Sequence, residues 1–126
     1  AYELSQAGLD SVVCTGGTLS VASASLTGAE TVEAVRKFNA DLFFFSCRAV
    51  SGCGLSESTQ EVAEVKNAMA EHAKKNVLLV DSAKFGKTAF CNLAVLPRLD
   101  YVITDAGVTG EIRTLFEKNS VRVLVV

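Results

Sequence analysis

Three segments of the sequence combine residue types that bind small anions. Residues 15–18 contain two adjacent glycines between threonines, and residues 81–87 combine an aspartate, a serine and two lysines. Residues 46–54 are mostly small residues around one arginine, and we expect them to form a long loop. The amides of adjacent glycines can cradle an anion, and arginine suits bidentate binding of a phosphate or carboxylate. These patterns favour a site for a small phosphorylated metabolite. A plain turn at the glycines and a solvated arginine are the competing interpretations.

Seven residues are the candidate ligand contacts: Gly16, Gly17, Thr18, Arg48, Glu61, Lys66 and Lys84. The first three would contribute backbone contacts, while Arg48 and Lys84 would bind the anion. Glu61 and Lys66 would bind hydroxyl groups or hold a loop. Two alternatives stay open. Glu61 could do no more than complete a helix capping box. Lys66 lies about 55° from the centre of an apolar helical stripe, so it could instead follow the edge of the core.

Signals for catalysis and for metal binding are weak. His72 is the single histidine, and the sequence contains neither a Ser/His/Asp order nor a GxxxxGK[ST] loop. The four cysteines have no CxxC spacing, which predicts no metal site and favours reduced thiols: Cys14, Cys47, Cys53 and Cys91. We therefore expect neither a metal nor a cofactor, and no enzymatic activity.

Composition disfavours several other classes of function. The formal net charge is -2 and no stretch collects basic residues, so this segment is not expected to contact nucleic acid itself. No apolar run approaches the roughly 18 residues of a membrane span, and no secretory signal pattern is present. These features favour a cytoplasmic protein without membrane contact. A helical pattern at residues 1–7 begins without an initiator methionine, from which we expect a fragment of a longer protein.

The anion-binding segments follow apolar runs that would position them. Continuous runs predict strands at residues 12–14, 42–45, 77–80, 101–103 and 121–126. Such runs are typical of parallel strands buried on both faces, and ligands bind at the carboxyl ends of such strands. Residues 82–100 are irregular and interrupted by Pro97, which predicts a loop with a short extra strand or turn.

Helical patterns separate the strands and predict an α/β domain with a mostly parallel sheet flanked by helices. Capping boxes are expected at Thr27 with Glu30 and at Ser58 with Glu61. A third helix is expected to end near Asn119, a residue that tolerates the left-handed cap conformation. No linker divides the chain, so we expect one domain over residues 1–126.

Eight short motifs occur in order along the chain: Gly16-Gly17, Leu26-Thr27-Gly28, Asp41-Leu42-Phe43-Phe44, Ser46-Cys47-Arg48, Gly54-Leu55-Ser56, Glu64-Val65-Lys66, Asp81-Ser82-Ala83-Lys84-Phe85-Gly86 and Ile103-Thr104-Asp105. Together they resemble the effector-binding domain of DeoR-family bacterial transcriptional repressors. The resemblance implies the fold of ribose-5-phosphate isomerase and glucosamine-6-phosphate deaminase, a phosphorylated sugar or related intermediate as ligand, and a homo-oligomer. It also implies that DNA is bound only through an N-terminal helix-turn-helix domain absent from this chain, and that the sensor domain itself is partial at its N-terminus.

Two other functions remain as alternatives. An aldose-ketose isomerase or amino-sugar deaminase of the same fold would need a general base, for which Asp81, Asp105 and Glu61 are the candidates. A dimerisation module with a vestigial pocket would self-associate without binding a ligand.

Overall fold

The structure is a computed structural model that describes residues 2–9, 11–21 and 23–126. Its helices are α1 (Tyr2–Gln6), α2 (Ala29–Val35), α3 (Gln60–Glu71) and α4 (Gly110–Lys118). Its strands are β1 (Thr18–Ser20), β2 (Ser25–Thr27), β3 (Ala40–Phe45), β4 (Ala49–Ser51), β5 (Gly54–Glu57), β6 (Ala73–Leu79), β7 (Cys91–Asn92), β8 (Tyr101–Thr104) and β9 (Arg122–Val125). Ala1, within the first predicted helix, lies outside the described residues. None of the helices in the described ranges has the length and apolar character needed to cross a membrane.

The main sheet has four parallel strands in the order β3-β6-β8-β9. All four correspond to apolar runs of the sequence, and helices separate β3 from β6 and β8 from β9. The predicted α/β class with a mostly parallel sheet is therefore confirmed. Because all four strands run in the same direction, their carboxyl ends lie along one edge of the sheet.

In the part of the chain that the structure describes, one face of this sheet is covered and the other is exposed. Phe43, Phe45 and Leu78 point into a core that also contains Ile112 and Phe116 of α4 and small residues of α3. The opposite face retains large exposed apolar side chains: Leu42, Phe44, Leu79 and Leu124. The expectation of burial on both faces is therefore wrong for the described chain, because continuous apolar composition does not by itself supply a second covering layer.

A small antiparallel sheet follows the end of β3, in the order β4-β5-β7. The sequence interpretation of residues 46–54 as a loop is wrong here, because β4 and β5 form a hairpin around Gly52 and Cys53. Val50 and Leu55 of this hairpin are almost fully buried in the core. The irregular stretch at residues 82–100 behaves as predicted, with two 3-10 turns (Ser82–Lys84 and Leu96–Arg98) and the short strand β7.

The helix ends differ from the predicted caps. Thr59, not Ser58, caps α3, and its side chain accepts a hydrogen bond from the Val62 N–H at 3.4 Å. Glu61 therefore lies one position too early for a capping box. The predicted box at Thr27 is also wrong, because α2 begins after Gly28 without a side-chain cap. The third predicted helix, α4, ends at Lys118 with Asn119 as its C-cap, close to the predicted end, but the left-handed residue is the next one, Ser120 (φ 59°).

The N-terminal region contains no strand at residues 12–14, so this prediction is wrong. Instead, β1 begins at Thr18 and pairs with β2 in an antiparallel hairpin. A run of three apolar residues is too short to specify a strand unless neighbouring backbone pairs with it.

Candidate ligand-binding site

Three segments follow the carboxyl ends of β3, β6 and β8: residues 46–48, 81–84 and 105–107. We call this region the carboxyl edge. It is the edge at which ligands bind in open α/β sheets. Two of the sequence candidates, Arg48 and Lys84, lie on these segments.

Asp105 fastens two of the segments together. Its carboxylate accepts hydrogen bonds from the backbone N–H groups of Ser82 and Gly107, both at 2.8 Å. Hydrogen bonds from Ser82 and from the Gly107 backbone hold the pKa of Asp105 below its ordinary value. A Cβ atom at position 107 would collide with the Ser82 side chain, so glycine permits this close approach.

The 3-10 turn at Ser82–Lys84 has no backbone amide free for a ligand. The Ser82 N–H bonds to Asp105, and the Ala83 N–H bonds to the Asp81 carboxylate at 3.1 Å. The Lys84 N–H donates to the Asp81 carbonyl at 3.2 Å. An anion at this turn would therefore depend on the half-buried Lys84 side chain, whose Nζ lies 3.8 Å from the Asp81 carboxylate.

Lys66 joins three parts of the fold. From α3 its Nζ donates a hydrogen bond to the Ser46 carbonyl at 2.7 Å and forms an ion pair with Glu57 at the end of β5. Glu57 also accepts a hydrogen bond from the Ser58 N–H at 3.2 Å. The alternative in which Lys66 only follows the core edge does not account for these contacts.

Cys47 is buried between these charged groups. Burial and the negative charge of Glu57 raise the pKa of the Cys47 thiol to about 11, while Lys66 and Lys84 act in the opposite direction. The thiol is thus protonated at neutral pH and fills space at the carboxyl edge. The Cys47 Sγ–H donates to the Ala49 carbonyl at 3.5 Å.

Arg48 is exposed at the start of the β4–β5 hairpin. Its backbone N–H donates to the Ser56 carbonyl at 3.1 Å, which fixes the main chain and leaves the guanidinium directed to solvent. Ser56 in turn accepts a hydrogen bond from the Ala89 N–H through its Oγ at 2.8 Å. The hairpin is therefore a rigid support for Arg48.

The glycine segment is held by a buried threonine. Gly16 and Gly17 both have left-handed backbone conformations (φ 76° and 101°). The Thr31 hydroxyl lies 2.7 Å from the Gly16 carbonyl and 3.1 Å from the Thr27 carbonyl, and can donate to either. A Cβ atom at position 17 would collide with Thr31, which explains the second glycine. Thr18 begins β1 and is exposed.

A groove of about 620 Å³ connects the glycine segment to α3. Its walls are mainly apolar side chains of β2, β3, α3 and residues 12–14. Six polar residues also line it: Thr15, Ser25, Thr27, Thr31, Ser46 and Lys66. The groove therefore contains Lys66 together with Thr15, the residue before Gly16, whereas Gly16, Gly17 and Thr18 do not line it. It does not include Arg48 or Lys84, which lie elsewhere on the carboxyl edge.

A second groove, of about 470 Å³, lies at the opposite edge of the main sheet. It is more polar, but three of its cations already have partners, the first being Lys74, which forms an ion pair with Asp41 at 2.7 Å. Lys75 forms an ion pair with Asp100 at 2.8 Å, and Arg122 lies 5.9 Å from the centre of the Tyr101 ring. We therefore place the candidate ligand site at the carboxyl edge. Within the described part of the chain no group of three or more metal-ligating side chains occurs.

The family of the chain follows from comparison with known proteins. A family model for the DeoR C-terminal sensor domain matches residues 1–106. This chain belongs to the DeoR sensor-domain family. The resemblance seen in the ordered motifs is thereby confirmed.

Curated relatives of this DeoR-type sensor domain are transcriptional regulators. An uncharacterised HTH-type transcriptional regulator of Bacillus subtilis, YulB, is 31% identical over all of this chain and 49% of its own length. The HTH-type regulator GlpR of Haloferax volcanii is 32% identical over 90% of this chain and 45% of its own. The L-fucose operon activator of Escherichia coli is 25% identical over 82% of this chain and 43% of its own. The chain thus spans about half the length of these relatives.

Two residues of the candidate site were not found from the sequence. Glu57 precedes the α3 cap without any periodic or motif signal, and only the fold shows that it pairs with Lys66, which the sequence had already identified as a candidate. Thr31 resembles an ordinary helical residue, although its position one turn after Thr27 is a weak signal for a local hydrogen bond. Glu61, which the sequence did suggest, is exposed on the first turn of α3.

Proposed function

We propose that this DeoR-type domain binds a phosphorylated sugar or a related intermediate at the carboxyl edge. Binding would alter the DNA affinity of a helix-turn-helix domain placed N-terminal to it in a longer cytoplasmic protein. The observation that carries this proposal is that Arg48 and Lys84 follow the carboxyl ends of two neighbouring parallel strands, and that Lys66 is hydrogen-bonded to the Ser46 carbonyl on the segment that leads to Arg48. The chain also belongs to a family whose curated relatives are transcriptional regulators.

The proposed roles follow from exposure and existing hydrogen bonds. Arg48 and Lys84 would bind the phosphate, because their side chains are at least partly accessible and most nearby amides are already used. Lys66, which lines the groove, and the segment at Gly16, Gly17 and Thr18, which follows the lining residue Thr15, would bind the sugar hydroxyls. Glu61, exposed at the start of α3, would accept a hydrogen bond from a hydroxyl only if the ligand extends that far.

Contacts at the carboxyl edge favour a sensor over an enzyme. A sugar-phosphate isomerase or deaminase needs an available general base. Both carboxylate oxygens of Asp105 accept backbone hydrogen bonds, and Asp81 accepts one from Ala83. These carboxylates hold the local structure together, which makes them poor candidates for a general base. Turnover of ribose 5-phosphate or glucosamine 6-phosphate by the purified protein would contradict this part of the proposal.

We also propose that the domain forms homo-oligomers. Support comes from the exposed apolar side chains on the uncovered sheet face, such as Phe44 and Leu79. Sedimentation velocity over a range of concentrations measures this directly. A monomer at every concentration would contradict it, and self-association without ligand binding would favour the dimerisation module.

Ligand binding is tested by thermal shift and calorimetry with a panel of sugar phosphates. A ligand at 100 times its Kd stabilises the folded state by about 2.7 kcal/mol, which raises the melting temperature measurably. For the ligand that binds, Arg48→Ala and Lys84→Ala should each weaken affinity roughly 10- to 100-fold through loss of a charged hydrogen bond. Arg113→Ala and Lys37→Ala are matched controls on exposed residues outside the site.

Comparing the affinities of the site variants with those of the control variants decides whether the assignment holds. Weaker binding in the site variants and unchanged binding in the controls would support the assignment. Equal affinity in all four variants would overturn the site, and no thermal shift with any sugar phosphate would overturn the ligand class.

A further inference from the structure

Glu57 is a charged residue buried at the carboxyl edge. Its side chain is only 7% exposed, and its ion-pair partner Lys66 is 22% exposed. The two residues lie on different elements, β5 and α3, so the pair joins the small antiparallel sheet to the long helix. Glu57 does not line the 620 Å³ groove, whereas Lys66 does.

The Lys66 ammonium has three N–H donors. One contacts Glu57 and a second bonds to the Ser46 carbonyl, which leaves one for the groove. Ser46 is the first residue after β3, and Arg48 follows two residues later. The orientation of Lys66 therefore determines both the donor offered to the groove and the position of the main chain that leads to Arg48.

A buried ion pair is a weak source of net stability, because removing two charges from water offsets much of their attraction. An apolar pair of the same volume would hold β5 against α3 equally well. It would not, however, hold the Ser46 carbonyl or direct an N–H group into the groove. The geometry of the pair thus matters more for the site than for the fold.

We infer that Glu57 is a positioning residue of the effector site: it holds Lys66 against the Ser46 carbonyl and thereby sets the segment that carries Arg48. This inference rests on the proposed function, since the site it serves is the proposed phosphate site. Glu57 acts through Lys66 and does not touch the ligand itself.

The direction in which one substitution changes the affinity for a phosphate distinguishes a positioning role of Glu57 from a purely electrostatic one. Glu57→Gln removes a negative charge near the site, so an electrostatic role predicts tighter binding of a phosphate. Positioning predicts the reverse: about tenfold weaker binding of ribose 5-phosphate or glucosamine 6-phosphate, because Lys66 and the segment after Ser46 lose their fixed geometry. Glu64→Gln is the matched control, since it makes the same charge change on exposed α3 surface.

Amide hydrogen exchange gives a readout that needs no ligand. The Arg48 N–H, bonded to the Ser56 carbonyl, should exchange at least tenfold faster in Glu57→Gln, while amides of α4 keep their wild-type rates. Lys66→Met should show the same local increase, and it provides a second variant if Glu57→Gln does not fold. Adding Glu57→Gln to Lys66→Met should produce no further change, because Glu57 acts through Lys66.

Unchanged exchange at Arg48 in both single variants would overturn the inference, as would tighter phosphate binding in Glu57→Gln. Faster exchange throughout the chain would show a general stabilising role and would also contradict it. If wild type binds neither sugar phosphate, the proposed function fails, while the exchange rates still decide whether Glu57 positions this segment.

Discussion

The Asp105 carboxylate accepts the Ser82 backbone N–H at 2.8 Å and so ties the segment after β8 to the segment after β6. Asp105→Asn should lower the free energy of unfolding at pH 7, because a neutral amide accepts these hydrogen bonds more weakly than a carboxylate. Urea unfolding monitored by circular dichroism measures the difference. Asp81→Asn, with its single backbone contact, should have the smaller effect.

The hydrogen bonds to Asp105 also predict that the free energy of unfolding depends on pH. Hydrogen bonds from Ser82 and Gly107 lower the pKa of Asp105. Burial acts to raise the pKa of Asp100, but hydrogen bonds from Lys75 and Asn76 and the charge of Lys75 outweigh it and lower the pKa. Such carboxylates contribute stability that is fully present above the unfolded pKa of about 3.9 and is lost as pH falls through the folded pKa.

Stability should therefore decline below about pH 4. The difference between wild type and Asp105→Asn should shrink over the same interval, because protonated Asp105 resembles asparagine. Urea unfolding at pH 7, 5 and 3 tests this. A difference that stays constant from pH 7 to pH 3 would show that the ionised form of Asp105 is not the stabilising one.

The two adjacent glycines should respond differently to alanine. At Gly16 the added Cβ meets no atom, so the variant loses about 1–2 kcal/mol through its left-handed backbone alone. At Gly17 the Cβ would also collide with Thr31 and lie 2.7 Å from the Thr27 carbonyl, which adds roughly 1–3 kcal/mol. Thermal denaturation compares them, and equal losses would contradict the packing of Gly17 against α2.

Ser58 and Thr59, which are adjacent at the start of α3, should also respond differently to alanine. Thr59→Ala should destabilise the domain by about 1 kcal/mol, since its hydroxyl caps the Val62 N–H. Ser58→Ala should change stability by less than about 0.5 kcal/mol, because Ser58 is exposed and lies outside the helix. Chemical denaturation measures the loss of stability in each variant. A larger loss in Ser58→Ala than in Thr59→Ala would support the capping box that the sequence predicts at Ser58.

Neighbouring leucines of β6 test the coverage of the main sheet. Leu78 is fully buried and Leu79 is 42% exposed. Leu78→Ala should destabilise the domain by about 2–5 kcal/mol, and Leu79→Ala by less than about 1 kcal/mol. Comparable losses at both positions, measured by urea unfolding, would mean that the second face is also buried in solution.

The main sheet could be predicted because each of its strands contains a continuous apolar run. The carboxyl edge could be predicted because parallel strands end at the same edge of a sheet. Whether the second face is covered could not be predicted, because Leu42 and Phe44 are equally apolar whether or not another layer packs against them. Sequence patterns report which residues favour burial; they do not report what is present to bury them.

The candidate site was only partly accessible to sequence reasoning. Arg48 and Lys84 follow strands, so topology alone places them at one edge. The support for Arg48 was missed because a two-residue turn at Gly52 and Cys53 resembles a flexible loop. Glu57 was missed because its significance depends on a partner on another element, and such a pair leaves no local periodicity.

The strand order β3-β6-β8-β9 has a consequence for how the chain folds. Along the sequence β4, β5 and α3 lie between β3 and β6, and α4 lies between β8 and β9, so each of these pairs forms between segments that are distant along the chain. No two neighbouring strands of the main sheet are joined by a short turn, so their pairing requires closing long loops before contacts form. Refolding should accordingly be slower than that of a helical bundle of equal length, with the β4–β5 hairpin as the local structure that forms first.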